Sequence, residues 1–150
     1  MNHSYKESSL KRNSPVFTLS VTSKLSGIPI PSIRHYIDRG LIIPFKKDTE
    51  RHLFSQEDIN RLEHIHVQLN RMGLNIAGIR ALLALIPCWA IRKCSTRDRT
   101  KCQGYNSVSE PCWEASEKGR ECKNTDCREC DVYRIFENHP DVKSLLKTLI

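Results

Sequence analysis

Apolar residues recur every three or four positions through the first half of the chain and predict a series of helices. The first predicted helix covers Leu19–Ser26 and ends at Gly27. The second has Pro31 in its first turn and ends near Arg39, before Gly40. Two short helices around a glycine-containing turn predict a helix-turn-helix.

The pattern then changes from helical to extended. Two short apolar runs, residues 41–45 and 52–54, flank a charged tip and predict a β-hairpin. In this position such a hairpin would be a wing. Ser55 is placed to cap a third helix, and Asn75 to cap a fourth that Pro87 ends.

These elements divide the chain into segments. The predicted segments are a disordered tail at 1–14, a helical domain at 15–86, a cysteine-rich and loop-rich module at 87–134, and a short C-terminal helix at 135–150. The fold class is therefore mainly α: a winged helix-turn-helix of four helices and a β-hairpin, followed by the small module. Leu25, Ile33 and Leu62 are predicted to lie in the core.

The charge of the chain favours a polyanionic partner. The formal net charge is +7, and residues 1–86 hold 12 Lys and Arg against 7 Asp and Glu. No apolar run approaches the roughly 20 residues that span a bilayer, and the N-terminus lacks the pattern of a secretory signal. We therefore expect a cytoplasmic protein without a membrane partner. A hydrophobic content of 39% also argues against a large enzyme fold, so no catalytic role is predicted.

Several short motifs stand in a fixed order along residues 15–86. They are Phe17-Thr18-Leu19, Leu25-Ser26-Gly27-Ile28, Ile33-Arg34-His35-Tyr36, Gly40-Leu41-Ile42 and Arg51-x-x-Phe54-Ser55. This series resembles the winged helix-turn-helix of the mercury-resistance-regulator (MerR) family. The resemblance implies a sequence-specific DNA-binding transcriptional regulator. Its implied partners are double-stranded DNA and RNA polymerase.

The resemblance also implies which side chains meet DNA. The candidate DNA-contacting residues are Ser32, Arg34, His35, Tyr36, Arg39, Lys46, Lys47 and Arg51. Arg34 and Tyr36 match family positions that contact DNA. Arg51 matches a family position that contacts the flanking DNA backbone. Phosphate contacts give affinity and register, whereas sequence choice needs contacts to base edges. Two alternatives stay open: Tyr36 also fits the core, and the wing charges also fit a solvated hairpin tip.

The chain departs from the family pattern at three places. His35 stands where the family usually has tyrosine, and Pro29 stands where it has a serine or threonine cap. The long dimerisation helix that follows the domain in the family is replaced by Pro87 and Cys88. A homodimer would therefore depend on the cysteine module or on the apolar stripe of the last helix.

All seven cysteines lie in the second half of the chain, in two similar segments. We call these segments passes: the first covers residues 88–105 and the second covers residues 111–133. Each pass opens with Cys-Trp, at Cys88 and Cys112, and closes with Cys-x-x-Tyr, at Cys102 and Cys130. This repetition predicts an internal repeat. Clustered thiols in a reducing compartment are typical of metal or iron–sulfur binding. The predicted ligands are Cys88, Cys94, Cys102, Cys112, Cys122, Cys127 and Cys130.

Four thiolates suffice for tetrahedral zinc or for one iron–sulfur cluster, and spacing does not decide between these cofactors. The four second-pass cysteines form the most self-contained set, while the three of the first pass leave an incomplete shell that would suit sensing. Structural zinc, a metal or redox sensor, and disulfides remain alternatives. Two other functions also stay open: a thiol–disulfide redox protein using Cys127 and Cys130, and an architectural DNA-binding protein with a structural zinc knot.

Overall fold

The computed structural model describes residues 12–47 and 51–150. Most of the predicted disordered tail, residues 1–11, lies outside the described residues. The chain divides into two compact units, Met1–Leu74 and Asn75–Ile150. This division falls before the fourth predicted helix, whereas the sequence pattern placed the boundary after that helix.

In its described residues, the first unit combines helices with short strands. Its elements are β1 (Phe17–Thr18), α1 (Leu19–Ser26), α2 (Ile30–Asp38), β2 (Phe45–Lys46), β3 (His52–Phe54) and α3 (Gln56–Asn70). The helical fold class and the hairpin are confirmed. The strands form one antiparallel sheet in the order β1-β3-β2. Strand β1 was not predicted, because two residues are too few to show an alternating pattern.

The core of the first unit lies between the helices and the sheet. Ile33 and Leu62 are fully buried, as predicted, but Leu25 is 54% exposed and the prediction for it is wrong. The inward position on α1 belongs to Thr22, which is fully buried. A helix of eight residues has too few apolar positions to define its buried face from spacing alone.

A capping box begins α3, as the sequence predicted. The Asp58 amide donates to Ser55 Oγ at 3.1 Å, and the Ser55 amide donates to Asp58 Oδ2 at 2.7 Å. Two backbone donors at the helix start are thereby satisfied. The helix buries Ile59, Leu62 and Ile65 along one face.

The second unit is built from short helices. Its elements are α4 (Ile76–Ala84), α5 (Cys88–Arg92), α6 (Thr96–Thr100), α7 (Gln103–Asn106), α8 (Arg120–Lys123) and α9 (Val142–Leu149), with 3₁₀ turns at Cys112–Glu114, Cys127–Glu129 and Ile135–Glu137. The predicted last helix is therefore shorter than expected, and Asp141 caps it. Within the described residues, every helix is too short or too polar to cross a membrane.

Candidate functional site

Helix α2 has a basic exposed face and a buried face. Arg34, His35 and Arg39 are exposed, and Ser32 is half-buried. Tyr36 is only 5% exposed, and its hydroxyl lies 3.2 Å from His66 Nδ1. Of the two roles predicted for Tyr36, its position matches the core role.

The chain after α2 is held in a fixed path toward the wing. Gly40 has a φ of 71°, a left-handed conformation that glycine adopts at low cost, and it allows the Leu41 amide to donate to the Tyr36 carbonyl at 3.0 Å. Arg61 Nε donates to the Leu41 carbonyl at 2.9 Å. These contacts orient the wing relative to α2.

The wing carries three exposed cations, of which Lys46 lies on β2 and the other two lie just beyond the paired strands. Lys46 pairs with His52 across the sheet, and the Lys47 amide donates to the Arg51 carbonyl at 3.5 Å. Lys46, Lys47 and Arg51 are exposed. The central part of the predicted charged tip, residues 48–50, lies outside the described residues.

A cleft of about 670 Å³ joins α2 to the wing. Arg34 and Arg51 both line it, so two of the predicted DNA-contacting residues meet in one site. The other predicted contact residues are not among its lining residues. Thr18 and Ser20, at the start of α1, also line the cleft and were not predicted as site residues. The position of Thr18 directly before an apolar helical run was the available signal, since such residues cap helices.

The electrostatics of the cleft favour an anion. Burial lowers the pKa of His52, and the positive charges of Lys46 and Arg34 lower it further, while Asp38 acts in the opposite direction. The cations around His52 therefore outweigh the single carboxylate. The cleft also includes the beginning of α1, where Thr18 Oγ1 accepts from the Val21 amide at 3.3 Å. Helix N-termini of this kind favour phosphate.

A helix-turn-helix whose second helix and wing share a basic cleft defines the class of winged helix-turn-helix DNA-binding domains. The family model of the MerR HTH family regulatory proteins matches residues 17–86. The chain therefore carries a MerR-family domain over these residues, and this domain is of the kind found in DNA-binding transcriptional regulators.

Individual relatives match about half of the chain. The HTH-type transcriptional regulator GlnR of Bacillus anthracis is 32% identical over 75 residues, which cover 50% of this chain and 57% of that protein. A protein named HspR of Streptomyces coelicolor is 30% identical over 76 residues, covering 51% of this chain and 50% of that protein. The chain thus spans about half the length of the curated relatives it matches, and all seven cysteines lie beyond the residues that the family model matches.

The second unit gathers its cysteines around one cavity. All seven cysteines are free thiols. Six of them line a cavity of about 30 Å³, and Cys94 does not. The six are Cys88, Cys102, Cys112, Cys122, Cys127 and Cys130. Among the residues that the structure describes, no three His, Cys, Asp or Glu side chains are grouped as ligands of a single metal ion.

Burial and mutual proximity change the acidity of these thiols. Burial raises the pKa of Cys88 to about 11, and neighbouring thiols, first Cys102, add to the rise. Burial, followed by the proximity of Cys88 and other cavity thiols, raises the pKa of Cys112 to about 12. Both groups are therefore protonated thiols at neutral pH unless a cation replaces the proton.

The two cysteine passes have matching aromatic pairs. Trp89 and Tyr105 of the first pass meet edge to face, with ring centroids 5.2 Å apart and planes at 81°. Trp113 and Tyr133 of the second pass meet in the same way, at 5.1 Å and 88°. The predicted internal repeat is thus present in the packing as well as in the order of residues.

Proposed function

We propose that this protein is a sequence-specific DNA-binding transcriptional regulator whose cysteine-rich unit binds a metal or iron–sulfur centre and responds to metal or redox state. The observation that carries the DNA-binding part is the cleft between α2 and the wing. Double-stranded DNA is the proposed partner. RNA polymerase and a second copy of the chain are further candidate partners that the family suggests.

The cleft supports DNA binding because its cations come from two elements. Arg34 lies on α2 and Arg51 on the wing, and both line the same cleft. A duplex lying against α2 would meet base edges through the exposed α2 face and phosphates through the wing. His35 and Arg39 are exposed on α2 and are our candidates for base contacts.

The cysteine cavity supports metal binding because its walls combine thiols with buried apolar groups. Trp113, Val132 and Tyr133 line it and are at most 8% exposed. Thiolate sulfur binds zinc and iron–sulfur clusters, and a shielded pocket excludes competing water. Such a centre would supply structural support or a redox-sensitive group, and its presence in a regulator favours a sensing role.

Binding to DNA from the protein's own promoter region tests the proposal. We expect Arg34→Ala to weaken binding about 5- to 100-fold, since losing one contact of this kind costs about 1–3 kcal/mol. Arg120→Ala removes the same charge from an exposed site on α8 and is the matched control. Affinity of the natural protein should fall steeply with salt as counterions are released. Equal binding by the two variants would contradict the proposed interface.

A second experiment tests whether DNA binding responds to the state of the cysteine centre. DNA affinity is measured with protein purified anaerobically, and again after chelation or oxidation of the thiols. A changed affinity supports sensing. An unchanged affinity in a metal-loaded protein would instead favour an architectural DNA-binding protein with a structural centre.

A further inference from the structure

The cavity of the second unit is bounded by both cysteine passes. Cys88 and Cys102 come from the first pass, and the other four cavity cysteines come from the second. We infer that the two passes form one shared metal–sulfur centre, and that neither pass binds metal independently. This inference rests on the metal centre proposed above and specifies where its ligands come from. The sequence alone left open whether a histidine, a water or a second-pass cysteine completes the first-pass set, and the cavity favours the second-pass cysteines.

Direct contacts join the two passes beside the cavity. Gly104 of the first pass lies so close to Cys112 of the second that an added Cβ would be 2.9 Å from Cys112 Cβ. The Gln103 amide donates to the Glu117 carbonyl at 2.9 Å. Arg92 donates to the Glu121 carbonyl at 2.7 Å. Cysteines from both passes are therefore held close together by hydrogen bonds and tight packing.

The repeat places equivalent cysteines in the same cavity. Cys88 and Cys112 each precede the tryptophan of their pass, and Cys102 and Cys130 each precede the tyrosine by three positions. All four line the cavity. If the two copies of the repeat enclose one ligand, we expect each copy to contribute its equivalent cysteines to the same cavity.

The first pass alone supplies too few cavity thiols for a complete site. A tetrahedral zinc ion takes four ligands, and six cysteines line this cavity, of which only Cys88 and Cys102 belong to the first pass. The shared ligand chemistry is thiolate sulfur toward soft or borderline metals, which covers a zinc–thiolate site and an iron–sulfur cluster.

Two cations are placed to offset thiolate charge. Lys118 Nζ lies 3.3 Å from Cys127 Sγ and also lines the cavity. Arg92 donates a hydrogen bond toward Cys122, so its positive charge lies beside that thiol. Partial compensation of this kind lowers the electrostatic cost of gathering several thiolates in one place.

Metal analysis of single-cysteine variants of the full chain tests the inference. Iron, zinc and acid-labile sulfide are measured per chain after anaerobic purification of the natural protein, Cys102→Ser and Cys130→Ser. These variants change equivalent positions of the two passes. We expect each to lose more than about four fifths of the metal, because each pass completes the same centre. Ser109→Ala, at an exposed position of the same unit outside the cavity walls, is the control and should keep its metal.

The outcomes separate the inference from the proposed function. Iron with sulfide identifies an iron–sulfur cluster, and zinc without sulfide identifies a zinc–thiolate site; either metal, when it is lost in both cysteine variants, supports the shared centre. A Cys102→Ser variant that retains half or more of its metal overturns the shared centre and leaves metal binding intact. A natural protein without metal overturns the proposed cofactor itself.

A measurement on the natural protein covers the case in which a variant fails to fold. A thiol reagent is added together with a chelator, and the release of protected thiols is followed in time. A shared centre predicts that the cavity thiols become reactive in one phase. Two phases, with the four second-pass thiols reacting apart from those of the first, would contradict it.

Discussion

The buried face of α1 depends on a residue that hydrophobic spacing did not identify. Thr22 is fully buried, and within the part of the chain that the structure describes its hydroxyl has no hydrogen-bond partner. Burying an unpaired hydroxyl opposes folding. The first helix of the helix-turn-helix therefore carries a polar group at the position where it packs most closely.

Replacing this hydroxyl by a methyl group should stabilise the protein. We expect Thr22→Val to raise the free energy of unfolding by about 1 kcal/mol, because the shape is kept and an unsatisfied polar atom is removed. Urea unfolding followed by circular dichroism measures the change. Thr148→Val is the control, since Thr148 donates to the Leu145 carbonyl at 2.7 Å and should give no such gain. A lower midpoint for Thr22→Val would show that its hydroxyl is satisfied in solution.

Single residues were predicted from sequence with mixed success for a physical reason. Ile33 lies on a helix with apolar residues at regular spacing and is buried as expected. Leu25 is exposed and Thr22 is buried instead, because burial on a short helix depends on which neighbour packs against it. Tyr36 has both an apolar ring and a polar hydroxyl, so its residue type fits the core and the surface equally well.

At the scale of elements, the helices and strands that were predicted correctly are those specified by local sequence signals. The Ser55 cap, the α1 boundaries and the hairpin are specified by residues close together in sequence, and the structure contains all three. Strand β1 pairs with β3, more than thirty residues away in the chain. A short strand that exists only through such a distant partner leaves no local pattern to detect.

The capping box of α3 makes a measurable contribution. We expect Ser55→Ala to lower the free energy of unfolding by about 1–2 kcal/mol, because the buried Asp58 amide loses its side-chain acceptor. Thermal and urea unfolding both report the loss. Ser109→Ala, at an exposed position, serves as the comparison and should change stability by only a few tenths of a kcal/mol. Equal stability of the two variants would mean that water replaces the cap.

At the scale of the whole molecule, the sequence predicted two kinds of unit but not how the cysteines are grouped. The MerR-family half follows from ordered local motifs. The gathering of six thiols around one cavity depends on packing between residues that lie up to 42 positions apart, from Cys88 to Cys130. Spacing therefore indicated metal-binding chemistry without indicating which thiols lie together.

The close approach of Gly104 to Cys112 provides a test at this scale. We expect Gly104→Ala to lower metal content and stability, because the added Cβ would contact Cys112 Cβ at 2.9 Å, a distance that requires the backbone to shift. Gly119→Ala is a graded comparison, since its added Cβ would lie 3.1 Å from the Asp98 carbonyl oxygen and demands a smaller adjustment. Metal analysis and unfolding of both variants measure the difference. A larger effect at Gly119 would argue against the closer approach of Gly104 to Cys112.

The duplicated Cys-Trp to Cys-x-x-Tyr arrangement has a consequence for assembly. When the two halves of a binding site lie on separate chains, the chains must associate before both halves can bind one ligand. Dilution then releases the ligand. Here both halves are tethered in one polypeptide, and the connection gives them a high local concentration at any protein level. Completion of the cavity then needs no second subunit, and we expect occupancy of the proposed centre to be independent of the protein concentration.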